Sequence, residues 1–162
     1  MAVIKEQLRV LSDEVPIAAQ TFERLQDMRR LVYDSEDFRE GVAAAAERIE
    51  RAAQDCGRKP SDVALVCVSK TFPEDVIDRV LAAGERIFGE NRVQEAASKW
   101  PDLRKSYPDV QLHLIGQLQS NKADEAVELF DCIHSLDRMS LLSALSKAMA
   151  KARRQIPCFI QV

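Results

Sequence analysis

The feature that most constrains this chain is a short apolar segment, residues 63–68, which ends abruptly in Ser69, Lys70 and Thr71. A continuous apolar run bounded by turn residues is typical of a strand covered on both faces, as in a parallel sheet. Ligands of such sheets bind just beyond the carboxyl ends of the strands. Lys70 stands at such an end, where partial loss of hydration would favour a neutral amine that attacks aldehydes. The alternative is a solvated lysine at the rim of the sheet, since most lysines are exposed.

Strand-like and helix-like segments alternate along the rest of the chain. The predicted strands are residues 63–68, 86–89, 111–116, 132–135 and 157–162. Because a helical segment separates each strand from the next, the pattern predicts right-handed βαβ units and a parallel sheet.

Capping residues give the expected bounds of these helices. Proline and acidic residues from Pro73 onward begin the first one. Asn91 is the expected N-cap of the second, which Pro101 should stop. Asp137 is the expected N-cap of a later helix whose predicted buried residues are Leu141, Leu142, Leu145 and Met149.

Two further helices are predicted before the first strand. Apolar residues at helical spacing indicate a helix over residues 16–32. A second helix follows, ends at Gly57 as its C′ residue, and carries one apolar stripe, which consists of Phe38, Val42, Ala45, Ile49, Ala52 and Cys56.

The fold class that this pattern predicts is α/β. Five strands of this kind belong either to a doubly wound sheet or to a (β/α)₈ barrel. The chain has neither G-x-G-x-x-G nor G-x-x-x-x-G-K-[ST], which weakens the nucleotide-binding open sheets. Polar clusters follow the carboxyl ends of the strands, where barrels build their active sites. We therefore expect a TIM-barrel-type fold with only about its first five strands, over residues 38–162, preceded by a helical extension over residues 1–37.

Composition limits the classes of partner and location. The chain has 162 residues, 46% of them hydrophobic, and a formal net charge of −3. This charge favours neither nucleic acid nor an anionic membrane as a partner. No apolar run approaches the roughly 20 residues of a spanning helix, and the N-terminus shows no secretory signal. A cytoplasmic location is the expectation.

The cysteines are widely spaced. Cys56, Cys67, Cys132 and Cys158 include no C-x-x-C pair, and three of them lie in apolar strand-like segments. Cysteines in such segments usually act as small hydrophobic residues. The spacing therefore predicts neither a metal site nor a disulfide.

Four local motifs in a fixed order are more specific. They are Val68-Ser69-Lys70-Thr71, then Phe88-Gly89-Glu90-Asn91 with Val93-Gln94-Glu95, then His113-Leu114-Ile115-Gly116 with Leu118-Gln119-Ser120-Asn121-Lys122, then His134-Ser135-Leu136-Asp137-Arg138. With this order and spacing, the chain from about residue 38 onward resembles the pyridoxal phosphate homeostasis protein family (the YggS/PROSC family).

The resemblance implies both a fold and a cofactor. The fold would be a (β/α)₈ barrel similar to the N-terminal domain of alanine racemase. Lys70 would hold pyridoxal 5′-phosphate as a Schiff base, with Asn91 near the lysine and His113 facing into the barrel near the cofactor ring. The function implied is intracellular vitamin B6 homeostasis without established catalysis. Read without the resemblance, Asn91 is a helix cap and His113 is a core histidine with a hydrogen-bonding neighbour.

Length is the main departure from the family pattern. Family members continue with three more strands, which supply many of the contacts to the phosphate group of the cofactor. The corresponding stretches do not occur in this sequence. A barrel of five strands has open edges. We therefore expect weak cofactor binding or none by the chain in isolation, and possible self-association through the open edges.

Three functions remain open from the sequence. The first is a cofactor carrier that uses Lys70. The second is an amino-acid racemase, which needs an acid–base group on each face of the ring; Tyr33 and Tyr107 are unconvincing as the second group. The third is a noncatalytic interaction module made from a partial barrel.

Overall fold

The computed structural model describes residues 37–162. The predicted helix over residues 16–32 lies outside the described residues, and the predicted domain boundary after residue 37 stays a prediction. The chain forms two compact units, of which one ends at Leu65 and the other is Val66–Val162.

The first unit contains α1 (Asp37–Asp55) and a short 3₁₀ turn (Pro60–Asp62). Gly57 follows α1 with a φ of +67°. The amide of Gly57 donates to the carbonyl of Gln54, and the amide of Arg58 donates to that of Ala53. These two bonds satisfy carbonyls that the end of a helix leaves open. The predicted C′ role of Gly57 is confirmed.

The apolar stripe of α1 is only partly as predicted. Val42 and Ala45 are buried, but Cys56 is exposed and Ala53 is buried in place of Ala52, which is half-buried. Cys56 lies beyond the last helical residue, Asp55, so helical spacing no longer fixes its direction.

The second unit alternates strands and helices. Its elements in chain order are β1 (Cys67–Val68), α2 (Glu74–Ala82), β2 (Ile87–Glu90), α3 (Val93–Ser106), β3 (Gln111–Leu114), α4 (Ala123–Leu129), β4 (Cys132–Leu136), α5 (Met139–Ala152) and β5 (Cys158–Ile160). A 3₁₀ turn, Ser120–Lys122, precedes α4.

The sheet topology decides between the two predicted α/β folds. The five strands pair in the order β1-β2-β3-β4-β5, and every pair is parallel. A doubly wound sheet reverses its strand order at a switch point. Strands that follow one another without reversal, with a helix after each, are the arrangement of a (β/α) barrel. The predicted TIM-barrel-type fold with five strands is confirmed.

The bounds of α3 correct two expectations. Arg92, not Asn91, is the N-cap of this helix, and the helix continues through Pro101 to Ser106. Trp100 and Leu103, on either side of Pro101, are buried. A proline inside a helix costs about 3 kcal/mol, and the packing of these two residues against the rest of the unit offsets that cost.

The N-terminus of α5 also differs from the prediction. Its N-cap is Arg138 rather than Asp137. The carboxylate of Asp137 accepts a hydrogen bond from Nη1 of Arg138 at 2.5 Å, so it is engaged by a side chain and not by the helix. Along the helix, Leu141 and Leu145 are buried as expected. Leu142 is 42% exposed and Met149 is only half-buried, whereas Ala148, which the prediction did not include, is buried.

The strands are shorter than the apolar runs that predict them. The predicted first strand, residues 63–68, forms ladder pairs only at Cys67 and Val68. Residues 63–66 have no ladder pair with another described residue.

The two faces of the sheet differ in chemistry. On one face, Phe88 lies 5.0 Å from Trp100 of α3, measured between ring centroids. Leu112 is its partner in register, and both are fully buried. The other face carries Gly89, His113 and Cys132 in register. Helix α3 therefore packs on the first face, and the polar ring of His113 lies on the second.

The last strand and the residues after it include apolar side chains in contact with solvent. Ile160 is 77% exposed and Val162 is 90% exposed. Within the described chain, β5 pairs only with β4. No helix among the described residues is long and apolar enough to cross a membrane; the cytoplasmic location stays a prediction.

Candidate functional site

Lys70 lies in a tight turn at the carboxyl end of β1. The amide of Phe72 donates to the carbonyl of Ser69 at 3.1 Å, which closes a four-residue turn with Lys70 in its second position. Thr71, in the third position, has a φ of +65°. This left-handed conformation favours glycine and costs about 1 kcal/mol or more for a β-branched residue. A threonine persists there only if neighbouring contacts fix the turn.

Two side chains of α3 supply such contacts. Nζ of Lys99 donates to the carbonyl of Ser69 at 3.3 Å and to that of Phe72 at 3.4 Å. A carboxylate oxygen of Glu95 accepts a hydrogen bond from the backbone amide of Thr71. Lys99 and Glu95 also form an ion pair at 3.0 Å. The backbone on both sides of Lys70 is therefore held by α3.

The pKa of the Glu95 carboxyl group reflects these contacts. Burial alone would raise the pKa of its carboxyl group. The hydrogen bond from Thr71 and the charge of Lys99 outweigh burial and hold the pKa below its usual value. Hydrogen bonds to the charged form of a carboxyl group lower its pKa in this way.

Glu90 ties the turn to the end of β2. Its side chain is 0% exposed. One carboxylate oxygen, Oε1, accepts from Oγ of Ser69 at 2.8 Å and from Nε1 of Trp100 at 3.2 Å, and lies 2.9 Å from Nζ of Lys99. The other oxygen, Oε2, has no hydrogen-bond partner among the described residues. The buried charge of Glu90 is thus paired with Lys99, and Ser69 is fixed directly before Lys70.

Lys70 itself is left available by this arrangement. Its side chain is half-buried. Within residues 37–162, no hydrogen bond or ion pair engages its amine. The turn therefore has a fixed backbone and an amine that can react with a ligand.

Asn91 lies at the carboxyl end of β2, in contact with the end of β3. A Cβ atom added to Gly116 would lie 2.3 Å from the carbonyl oxygen of Asn91 and 2.7 Å from its Cα. The amide of Ile115 donates to the carbonyl of Glu90 at 2.9 Å, which joins the two chain segments. Glycine at 116 is required by this close approach, and the half-buried Asn91 is positioned by it.

His113 lies in the middle of β3 and has a hydrogen-bonding neighbour. Its Nδ1 is 3.0 Å from Nε2 of His134 on β4. Burial lowers the pKa of His113, which Asp131 partly opposes. Burial and the neighbouring His113 lower the pKa of His134 to about 4. Both rings are therefore neutral at neutral pH.

The three predicted site residues occupy consecutive strands. Lys70 follows β1, Asn91 follows β2, and His113 lies within β3. No hydrogen bond among the described residues joins their side chains to one another. Lys70 and Asn91 thus lie just beyond the carboxyl ends of neighbouring strands, while His113 lies within the next strand, and the role of all three in binding stays a prediction.

Sequence reasoning missed the three charged residues that hold the turn, namely Glu90, Glu95 and Lys99. A partial signal was present, because Glu95 and Lys99 are spaced i,i+4 on a helix, where opposite charges attract. The signal for Glu90 was a carboxylate that directly continues an apolar strand, since such a residue needs a buried partner.

Several curated proteins of one name are similar to this chain. No family model matches the chain. The chain is 36% identical over 127 residues to the pyridoxal phosphate homeostasis protein of Vibrio alginolyticus, which is 77% of this chain and 54% of the relative. It is 44% identical over 110 residues to the protein of that name from Pseudomonas aeruginosa, or 67% of this chain and 46% of the relative. The chain spans about half the length of the curated relatives it matches.

Solved structures show the same relationship. PipY of Synechococcus elongatus with pyridoxal phosphate bound has 44% identity and a TM-score of 0.59, over 68% of this chain and 51% of PipY. A protein of unknown function from Bifidobacterium adolescentis has 29% identity and a TM-score of 0.70, over 76% of this chain and 54% of that one. The resemblance that the four motifs indicate is confirmed.

Proposed function

We propose that this chain, a relative of the pyridoxal phosphate homeostasis proteins over its β/α part, binds pyridoxal 5′-phosphate through Lys70 and serves as a carrier in vitamin B6 homeostasis. The observation that carries this proposal is the turn Ser69–Thr71. Its backbone is fixed by Lys99 and Glu95, while the amine of Lys70 has no partner within the described residues. PipY, 44% identical to this chain, has been solved with pyridoxal phosphate bound.

The residues present fit such a cofactor. When bound, pyridoxal phosphate supplies an aldehyde, which a primary amine can attack. Lys70 is the amine, and its position at the carboxyl end of a parallel strand is where ligands of this fold bind. Glu90 and Lys99 pair with each other, so neither competes with the amine of Lys70 for the ligand.

Asn91 and His113 are proposed to complete the protein side of the site. Asn91 has a carboxamide that can donate and accept hydrogen bonds, and its backbone is held against Gly116. His113 presents a neutral ring on the face of the sheet opposite to the one on which α3 packs. A neutral ring can orient a polar ligand without adding a positive charge beside the amine of Lys70.

The affinity of this chain alone is proposed to be weak. The sheet has five strands, and within the described residues the outer edge of β5 has no partner strand. The chain spans about half the length of the curated relatives it matches. Covalent attachment to Lys70 does not need a closed barrel, whereas tight binding of the phosphate needs several donors around it.

The experiment that tests this proposal is borohydride reduction of the chain mixed with pyridoxal phosphate, followed by peptide mass analysis. We expect a stable pyridoxyl adduct on Lys70 and loss of most of this labelling in Lys70→Ala. Lys105→Ala is the matched control, because Lys105 is exposed and paired with Asp102. Equal labelling of Lys70→Ala and the unmodified chain would refute the assignment.

A carrier is favoured over a racemase by the position of Tyr107. Racemisation needs a second acid–base group across the ring from the lysine. Tyr107 packs against Arg86, which precedes β2, and so lies at the amino ends of the strands, opposite to Lys70. Tyr33 lies outside the described residues. Hydrogen-isotope exchange at Cα of alanine distinguishes the two functions. An exchange rate no higher than that of free pyridoxal phosphate supports the carrier. A higher rate that is lost in Lys70→Ala supports the enzyme.

Self-association through the open edge is also proposed. Ile160 is the last residue of β5 and Val162 follows two residues later, and both are exposed apolar residues close to an unpaired strand edge. This combination promotes association. Sedimentation velocity over a range of concentrations tests this. We expect association that weakens in the variant Ile160→Lys/Val162→Lys, and a concentration-independent monomer would contradict it.

A further inference from the structure

Three side chains of the kind that bind transition metals lie together on β3 and β4. They are His113, Cys132 and His134, and their ligand atoms all lie within 4.8 Å of one another. The two rings are closest, with Nε2 of His134 3.0 Å from Nδ1 of His113. Cys132 is 4% exposed and His134 is 8% exposed. The cluster is therefore compact and mostly removed from solvent.

Strand register explains why these residues meet. His113 pairs with Cys132 across the β3–β4 ladder, so their side chains lie on the same face of the sheet. His134 follows Cys132 by two residues along β4 and points to that same face. No spacing motif is visible in the sequence, because the ligands come from two strands that are joined through α4.

The donor set selects the class of metal. Two imidazole nitrogens and one sulfur suit zinc and other borderline metals, whereas magnesium and calcium require oxygen ligands. Bond lengths of about 2.0–2.3 Å place tetrahedral zinc ligands roughly 3.3–3.7 Å apart. The ligand atoms lie within 4.8 Å of one another, and the two facing ring nitrogens are 3.0 Å apart. Side-chain shifts of roughly 1 Å or less therefore bring the cluster to this spacing. We propose that His113, Cys132 and His134 form a zinc site with three protein ligands and an open fourth position.

The protonation states are compatible with binding. Both histidines are neutral at neutral pH, and each neutral ring has one nitrogen with a lone pair. Nδ1 of His113 and Nε2 of His134 share a hydrogen bond, so one of these two nitrogens carries a proton. That proton has to move to the other nitrogen of the same ring, by exchange with solvent, before both facing nitrogens bind the metal. Burial raises the pKa of the Cys132 thiol to about 11, so the free protein holds the protonated thiol. Zinc binds the thiolate, and formation of the zinc–sulfur bond therefore releases the thiol proton to solvent.

This site shares His113 with the proposed cofactor site but does not include Lys70. The amine of Lys70 is not one of the three ligands. His113 belongs to both proposals, so the tests are separated by other residues, namely Lys70 for the cofactor and Cys132 with His134 for the metal. Lys70→Ala should bind zinc as the unmodified chain does.

The experiment uses the full chain without a histidine tag, first stripped with a chelator. Zinc chloride is titrated against a chromophoric chelator, and cobalt(II) is added in parallel as a spectroscopic probe. We expect one zinc per chain. We also expect cobalt absorption with a thiolate-to-metal charge-transfer band and the strong visible bands of tetrahedral coordination. The affinity should fall at least tenfold in Cys132→Ser and in His134→Gln.

Cys67→Ser is the matched control, because Cys67 is a half-buried strand cysteine outside the cluster. It should retain the zinc stoichiometry and the cobalt spectrum. Circular dichroism of each variant identifies a loss of folding, and the conservative Cys132→Ser change keeps the test usable if His134→Gln unfolds. Absence of zinc binding, or binding that is equally tight in folded Cys132→Ser, would overturn the proposal.

Discussion

Nζ of Lys99 lies 2.9 Å from Oε1 of Glu90, and the carboxylate of Glu90 is fully buried. Lys99 also donates to the carbonyls of Ser69 and Phe72, which flank Lys70 and Thr71. A single cation thus neutralises the buried carboxylate and holds the turn that carries Lys70. The contact between β2 and α3 is therefore both a structural element and a means of positioning the candidate amine.

Replacement of Lys99 by methionine should destabilise the chain strongly. Lys99→Met leaves the buried Glu90 charge without its partner, and breaking a buried ion pair from one side costs about 3–5 kcal/mol. The free energy of unfolding from urea denaturation measures this loss. Glu90→Gln introduced into Lys99→Met should recover a large part of it, because the neutral side chain still accepts from Ser69 and Trp100. A double variant as unstable as Lys99→Met would contradict the pairing.

Removal of the Glu95 carboxylate should affect the turn more than the fold. Glu95→Ala deletes the acceptor of the Thr71 amide and should cost about 1–2 kcal/mol of unfolding free energy. Because the turn is then less fixed, labelling of Lys70 by pyridoxal phosphate should fall severalfold. Asp102→Ala, an exposed carboxylate on the same helix, is the control and should change stability by about 0.5 kcal/mol or less. Equal labelling of the two variants would show that Glu95 does not position Lys70.

The arrangement of the strands was predictable because it depends on local patterns. Each apolar run between turn residues formed a strand, and the helices between them made parallel pairing the expected outcome. Gly57 was predictable for the same reason, since only the adjacent backbone determines its left-handed conformation.

The errors fall where a tertiary contact overrides a local preference. Asn91 is a good N-cap by type, yet its backbone is held against Gly116 and the helix begins after Arg92. A proline normally stops a helix, yet α3 continues beyond Pro101 because the burial of Trp100 stabilises the helix there. Neither contact can be read from residues near the one in question.

The charged and metal-binding clusters required strand register. Glu90 and Lys99 meet because α3 packs on one face of β2, and His113 meets Cys132 because β3 and β4 pair at one register. A shift of one residue would move every side chain of a strand to the other face. The sequence could therefore single out Lys70 and His113 as candidates but could not predict the residues that surround them.

A methyl group at position 116 should disrupt the end of the sheet. In Gly116→Ala the new Cβ would lie 2.3 Å from the carbonyl oxygen of Asn91, and backbone atoms cannot move aside as a side chain can. Overpacking of this kind costs about 1–3 kcal/mol or more, and labelling of Lys70 should fall with it. Gly89→Ala is the comparison, because its nearest neighbours are side-chain atoms of Ile115 and Val66 at 3.0 and 3.1 Å. It should lose less unfolding free energy than Gly116→Ala; the reverse order would contradict the close approach.

Stability should fall at alkaline pH, and Cys67 should account for part of the fall. Burial, with the neighbouring Glu85 adding to it, raises the pKa of the Cys67 thiol to about 12. An unfolded cysteine loses its proton near pH 8.5. Between these values the folded chain holds one more proton at Cys67 than the unfolded chain, so the unfolding free energy decreases as pH rises. For this thiol the slope of unfolding free energy against pH is at most about 1.4 kcal/mol per pH unit.

Urea denaturation between pH 8 and pH 10 measures this slope. The slope should be smaller for Cys67→Ala than for the unmodified chain, whereas Cys56→Ala, which removes an exposed thiol, should keep the original slope. Identical slopes in Cys67→Ala and the unmodified chain would mean that this thiol is not held protonated by its surroundings.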